Sequence, residues 1–149
     1  MIAIGCDHAA TEYKKEIKAL LEKRNEEILD CGTQDGESCD YPVCAEKVAL
    51  AVAGGKCEKG ILICGTGIGM SIAANKVRGI RCALCADVFS AQATRLHNDA
   101  NVLAVGQRSM GIGSVLKIVE TFLDTPFSGE ERHARRVGLI SEMEKKYFK

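Results

Sequence analysis

The amino-acid sequence predicts an α/β fold: a Rossmann-like three-layer αβα sandwich around a five-stranded parallel sheet. Two patterns carry that expectation. Short β-branched runs alternate with segments of helical periodicity along the whole chain. The connections between them are short, as expected of parallel strands joined by crossover helices that cover both sheet faces. At 149 residues the chain has the size of one domain able to bury its own core, so 1–149 is read as a single domain.

The elements follow in order. The first strand is Ile2–Cys6, and Tyr13, Ile17, Leu20 and Leu21 then repeat at the spacing of an amphipathic helix. A second strand, 27–31, leads into the polar loop 32–40, which has the composition of a mobile connection. Pro42 suits the first turn of a helix on which Cys44, Val48, Ala51 and Val52 line one face. Strands follow at 60–64, 80–85 and 101–105, the last preceding a helix marked by Val115, Ile118, Val119, Phe122 and Leu123. After Gly129 comes Glu130-Glu131-Arg132-His133-Ala134-Arg135-Arg136, then a stripe of Val137, Ile140, Met143 and Tyr147. This C-terminal helix lies beyond the last strand and is expected to reach a partner subunit rather than complete its own core.

Composition narrows the function classes. Lys plus Arg and Asp plus Glu are both 20, for a formal charge of zero, which argues against a general binder of nucleic acid or anionic membrane. No apolar run approaches the roughly 20 residues that span a bilayer. Met1-Ile2-Ala3-Ile4-Gly5-Cys6 has no charged leader region, so a soluble cytoplasmic protein is expected. Of the eight cysteines, Cys82 and Cys85 form a C-x-x-C, but on a strand they would face opposite sides. With no second pair at zinc spacing, no metal site is expected. Most of these cysteines read as free thiols acting as small buried hydrophobes.

The strongest local signal is Gly60-Ile61-Leu62-Ile63-Cys64-Gly65-Thr66-Gly67-Ile68-Gly69. A buried strand runs into glycines and then a helix N-terminus, where converging N–H groups favour an anion. The spacing is neither a dinucleotide fingerprint nor a Walker loop, and a tight turn needing positive φ explains the glycines equally well. Cys64 favours the functional reading, because a thiol at a helix N-terminus ionises more readily than an isolated one and can act as base or nucleophile. Asp7-His8 follows the first strand, where Asp7 reads either as a ligand or as a helix cap. His97-Asn98-Asp99 precedes the last strand, where His97 reads either as an acid or as a dipole-favoured cap. Arg108, Arg132, His133, Arg135 and Arg136 form a basic set. Alone they read as a solvated face, but beside an anion loop they suggest a phosphate-bearing ligand.

Taken together, Gly5-Cys6-Asp7-His8, Asp40-Tyr41-Pro42, the 63–69 loop, Ala73-Ala74-Asn75-Lys76, 97–103, Gly106-Gln107-Arg108 and 132–136 resemble the family of ribose-5-phosphate isomerase B and the galactose-6-phosphate isomerase subunits. The resemblance runs nearly the whole chain. It implies interconversion of D-ribose 5-phosphate and D-ribulose 5-phosphate through a cis-enediolate, with no cofactor and no metal. Some relatives carry a glutamate base just after the glycine loop; here that position is Met70, so the resemblance implies the cysteine-base type. Cys64 would take the C2 proton, His97 would protonate the ring oxygen, and Thr66 would orient the thiolate or the sugar hydroxyls. The loop N–H groups of Gly65, Thr66, Gly67, Ile68 and Gly69 would hold the enediolate. Asp7, Tyr41 and Asn98 would contact the sugar, and His8, Arg108, Arg132 and Arg136 the phosphate. The resemblance also implies a homodimer or dimer of dimers whose sites draw Cys64 and His97 from different subunits.

Three other readings make different predictions. A six-carbon substrate such as allose 6-phosphate or galactose 6-phosphate would need a deeper pocket. A non-catalytic nucleotide-binding module would tolerate loss of Cys64, and it lacks the acidic residue of a dinucleotide loop. A thiol redox protein built on Cys82 and Cys85 would form a reversible disulfide.

Overall fold

The computed structural model describes residues 1–33 and 37–148. Eleven elements alternate among them: β1 (Ile2–Cys6), α1 (Thr11–Lys23), β2 (Ile28–Asp30), α2 (Tyr41–Ala53), β3 (Lys59–Cys64), α3 (Ile68–Ala74), β4 (Cys82–Leu84), α4 (Val88–Asn98), β5 (Val102–Gly106), α5 (Ile112–Asp124) and α6 (Glu131–Tyr147). The five strands form one parallel sheet in the order β2-β1-β3-β5-β4. The expected sandwich is therefore present. The loop read as 32–40 includes residues 34–36, which lie outside the described residues.

Side-chain alternation on the central strands sorts the core into two layers. Ile2, Ile4, Cys6, Ile61, Ile63, Leu103 and Val105 pack against α1, α4 and α5 through Ile17, Leu21, Ala91, Val115, Ile118, Val119 and Phe122. Ala3, Leu62, Cys64, Val102 and Ala104 face α2 and α3 through Cys44, Ala45, Val48, Ala49, Val52, Met70 and Ala74. Small residues on the second face let α2 and α3 lie close to the sheet. At Gly60, for example, a Cβ would come within 2.6 Å of the Val48 side chain.

Element boundaries depart from the expected ones at the sheet edges. The 80–85 run pairs as a strand only over Cys82–Leu84. Its start is held instead by side-chain amides: Asn101 Oδ1 accepts from the Arg81 N–H at 2.8 Å, and Asn75 Oδ1 from the Cys82 N–H at 2.8 Å. The 27–31 run shortens to Ile28–Asp30, and the last strand sits one residue later than 101–105. Six of the eight cysteines are free, in line with most being thiols, while Cys39 and Cys44 are bonded to each other. They come together because Cys39 closes the loop that enters α2 and Cys44 lies in the first turn of that helix.

A buried ion pair ties α1 to the β2 edge. Lys14 is only 5% exposed, and its ammonium donates to the Thr33 carbonyl at 2.7 Å and to Asp30 at 3.3 Å. Lys18 reaches the same carboxylate at 3.1 Å, and the Gly32 N–H donates to it at 3.0 Å. Burial alone would raise the Asp30 carboxyl, but the Gly32 N–H and the two lysines hold it below its ordinary value. A depressed native pKa means the unfolded chain binds more protons, so the contribution is complete above the unfolded value and is lost as pH falls through the native one. Asp30→Asn is therefore expected to cost about 1–3 kcal/mol near neutral pH. Urea titrations should show the gap to wild type closing in acid; a gap independent of pH would contradict the assignment.

α6 has partners in its own chain, contrary to the expectation of a tail without local ones. The Gly79 N–H donates to the Glu144 carboxylate at 3.0 Å and Arg78 to the Phe148 carbonyl at its end, while just before the helix the Ser128 N–H donates to the Leu96 carbonyl at 3.2 Å. Its apolar stripe is nevertheless left open to solvent, with Met143 60% and Tyr147 64% exposed. Among the described residues, no helix is long and apolar enough to cross a membrane.

Candidate active site

Strand order creates a crevice at the carboxyl edge of the sheet. From β1 the chain moves outward to β2; from β3 it moves to the opposite side. Loops leaving two neighbouring strands in opposite directions open a binding crevice between them. The register aligns Cys6 with Ile63 and Cys64 with Gly106, so the ends of β1, β3 and β5 stand in a row. Beyond them lie Asp7 and His8, the 65–69 turn, and Arg108, with Tyr41 entering from the start of α2.

Cys64 is 6% exposed, buried beneath this edge but still reachable. The Gly67 N–H donates to its Sγ at 3.1 Å, so a fixed donor points where the charge of a thiolate would sit. Gly67 has φ +80°, and a Cβ there would stand 2.6 Å from the Leu84 side chain and 3.0 Å from the Val105 carbonyl carbon. Both conformation and space demand glycine at this position. Thr66 Oγ1 accepts from the Ile68 N–H at 3.3 Å, which turns the chain into α3. The Gln107 N–H donates to the Cys64 carbonyl at 2.9 Å and the Arg108 N–H to that of Gly65 at 2.8 Å. The Arg108 stem passes over Gly65, and the Tyr41 ring lies so close to Gly69 that a Cβ there would meet it at 2.8 Å.

Asp7 does not cap α1: the N-cap is Ala10, without a side-chain bond. Its carboxylate instead accepts from the Ala9 N–H at 3.0 Å, holding the turn that presents His8. His8 is exposed, with Nδ1 3.4 Å from the carbonyl of the disulfide-bonded Cys39.

The second group sits at the opposite edge. His97 and Asn98 end α4, immediately before β5 starts, whereas Cys64 is level with the last residue of β5. The length of that strand, roughly 13 Å at 3.3 Å per residue, separates the two groups. Arg132 and Arg136 stand on the first turns of α6 beside His97, because the His133 ring centroid is 4.4 Å from that of His97. Arg132 pairs with Glu130 at 3.1 Å and Arg135 with Glu131 at 2.9 Å. Burial pushes the His133 imidazole below its ordinary value, and His97 and Arg132 push it further. One chain thus brings together Cys64, Thr66, the glycine turn, Asp7, His8, Tyr41 and Arg108. His97, Asn98, Arg132 and Arg136 are assembled elsewhere.

A groove and a pair of thiols lie beside these groups, the groove reaching Asn98 of the second. A largely apolar groove of about 530 Å³ runs between α6 and the β4 edge, lined by Ile80, Cys82, Ile140, Met143 and Tyr147. Cys82 packs with the α2/α3 layer and Cys85 with the other, and burial raises their thiols to about 12 and about 11. Facing opposite layers, the two are not placed as the dithiol of a redox turn. Among the described residues, no group of three or more His, Cys, Asp or Glu is placed to hold a metal ion.

Gly106 adjoins the glycine turn and is not among the site residues that the sequence motifs point to. A Cβ on it would fall 2.7 Å from the Thr66 Cα and 2.3 Å from the Ser109 Oγ. The end of β5 can therefore approach the glycine turn only without a side chain. Its place in the motif Gly106-Gln107-Arg108 was visible; the contact with Thr66 was not.

Comparison with known proteins places these observations. The Ribose/Galactose Isomerase family model matches residues 2–140. The chain is 50% identical to ribose-5-phosphate isomerase B of Escherichia coli over 145 residues, covering 97% of each. It is 51% identical to a putative sugar phosphate isomerase of Bacillus subtilis, again over 97% of each. The solved structure of ribose-5-phosphate isomerase B from Clostridium thermocellum superposes with a TM-score of 0.95 at 53% identity, covering 98% of both chains.

Proposed function

The chain belongs to the ribose/galactose isomerase family, and from that premise we propose how its residues carry out the reaction. It is an aldose–ketose isomerase that interconverts D-ribose 5-phosphate and D-ribulose 5-phosphate. The observation that carries the residue assignment is Cys64 Sγ at the end of β3, 3.1 Å from the Gly67 N–H at the mouth of the crevice.

Ring opening comes first. His97 protonates the ring oxygen as the anomeric hydroxyl passes its proton to solvent water, leaving the open-chain aldehyde. The Cys64 thiolate then takes the proton from C2, and the charge moves to O1. N–H groups of the 65–69 turn stabilise the cis-enediolate, as an oxyanion hole does. Return of the proton to C1, with transfer of the O2 proton to O1, gives the ketose. Thr66 orients the thiolate or the sugar hydroxyls, Asp7, Tyr41 and Asn98 bind sugar oxygens, and His8, Arg108, Arg132 and Arg136 grip the phosphate. Phosphate binding far from C1 and C2 positions the open chain for proton transfer.

Because one chain holds the two groups at opposite edges, the complete site is formed by two copies. Cys64 and its neighbours come from one, and His97, Asn98, Arg132 and Arg136 from the other. The exposed stripe of α6, with Ile140, Met143 and Tyr147, supports a homodimer or a dimer of dimers. A cytoplasmic setting fits the substrate, since a charged phosphate does not cross hydrocarbon unaided.

A panel of aldose phosphates tests the substrate assignment. Ribose 5-phosphate is expected to exceed allose 6-phosphate and galactose 6-phosphate in kcat/KM by at least about tenfold. A six-carbon substrate turned over faster would overturn the five-carbon assignment while leaving the reaction class intact.

A further inference from the structure

His133 is a buried polar residue that the mechanism leaves unused. It is 5% exposed on a helix that otherwise faces solvent over most of its length. Its ring lies against His97, with centroids 4.4 Å apart and planes inclined at 40°. On its other side Nδ1 is 2.9 Å from Ser128 Oγ, and that oxygen also accepts the Glu130 N–H at 3.3 Å. Whichever of the two atoms donates, that bond fixes the plane of the His133 ring.

We propose that His133 is a positioning residue for His97, a flat, hydrogen-bonded wall that holds the ring-opening imidazole in its working orientation. The proposal rests on the reading of His97 as the ring-opening acid. His97 sits on the last turn of α4, which ends at the left-handed Asp99. A side chain at a helix end is free to sample other rotamers unless packing restrains it. His133 supplies that packing, and Ser128 keeps His133 from turning. The charged groups around it are Arg132, Arg136 and Glu130 on its own segment and His97 on α4. Burial, His97 and Arg132 all disfavour the charged form of His133 there.

The test separates ring opening from enolisation by choice of substrate. D-Erythrose 4-phosphate carries its phosphate on the oxygen that would close a five-membered ring, so it reaches the site as an open chain. His97→Asn is expected to lower kcat/KM for ribose 5-phosphate about a hundredfold while leaving erythrose 4-phosphate within about threefold. His133→Ala should show the same split at smaller size, about tenfold against less than twofold, and Ser128→Ala about threefold. A role limited to folding would depress both substrates alike. If His97→Asn shows the split and both His133→Ala and Ser128→Ala do not, the positioning role is wrong and the ring-opening reading stands. If His97→Asn itself affects both substrates equally, the ring-opening reading fails, and the proposal with it. Should His133→Ala not fold, Ser128→Ala decides alone, because it removes one exchangeable hydroxyl and no buried ring.

Discussion

Cys64→Ala is expected to lower isomerisation by about 10³-fold or more, the scale of losing a general base that nothing else replaces. Binding of ribose 5-phosphate, followed calorimetrically, should stay within about tenfold, because the phosphate ligands proposed above are His8 and the arginines and not the thiol. Alanine also leaves the Gly67 N–H without its sulfur acceptor, which is a structural side effect. Cys64→Ser controls for it: the hydroxyl accepts the same N–H but does not ionise near neutral pH, so activity should fall about as far. Near-wild-type turnover in either variant would remove Cys64 as the base. Cys82→Ala and Cys85→Ala provide the contrast. Their thiols, raised to about 12 and about 11, have no part in the proposed proton transfers, and both variants should keep the chemistry.

Mixing two inactive variants should restore activity. On the proposed shared site, homodimers of Cys64→Ala lack the base in both sites, and homodimers of His97→Asn lack the ring-opening acid in both. In a heterodimer one site takes intact Cys64 from one chain and intact His97 from the other, while the second site carries both lesions. A two-fold interface builds two equivalent sites, so purified, differently tagged heterodimers should recover about half of wild-type activity per dimer. The structural reason is the separation along β5: His97 precedes its first residue, and Cys64 pairs with its last. Confirmed heterodimers that are folded but inactive would place both residues in one subunit's site. That outcome would require the α4 end to move across the sheet.

Much of this protein was legible in its sequence. Alternation of β-branched runs with i, i+4 stripes specified five strands and their helices, because a doubly covered parallel sheet needs that periodicity to bury both faces. The run 60–69 placed Cys64 at a strand end beside a glycine turn, since a strand followed by glycines and a helix has few other local geometries. Motif order along the chain carried the family. Where local signals were weak, boundaries slipped. At β4, Asn75 and Asn101 take backbone groups that a strand would have paired.

Tertiary structure decided what depends on distance between remote residues. Asp7 holds a turn instead of capping a helix, Cys39 meets Cys44, and Gly106 has to be glycine because Thr66 lies against it. His133 looked like one member of a basic cluster, yet it is buried against His97. The sheet register put the two halves of the candidate site at opposite edges of one chain. Sequence spacing does not encode that outcome, since the direction in which each crossover returns and the strand it lands beside are set by packing of the whole core.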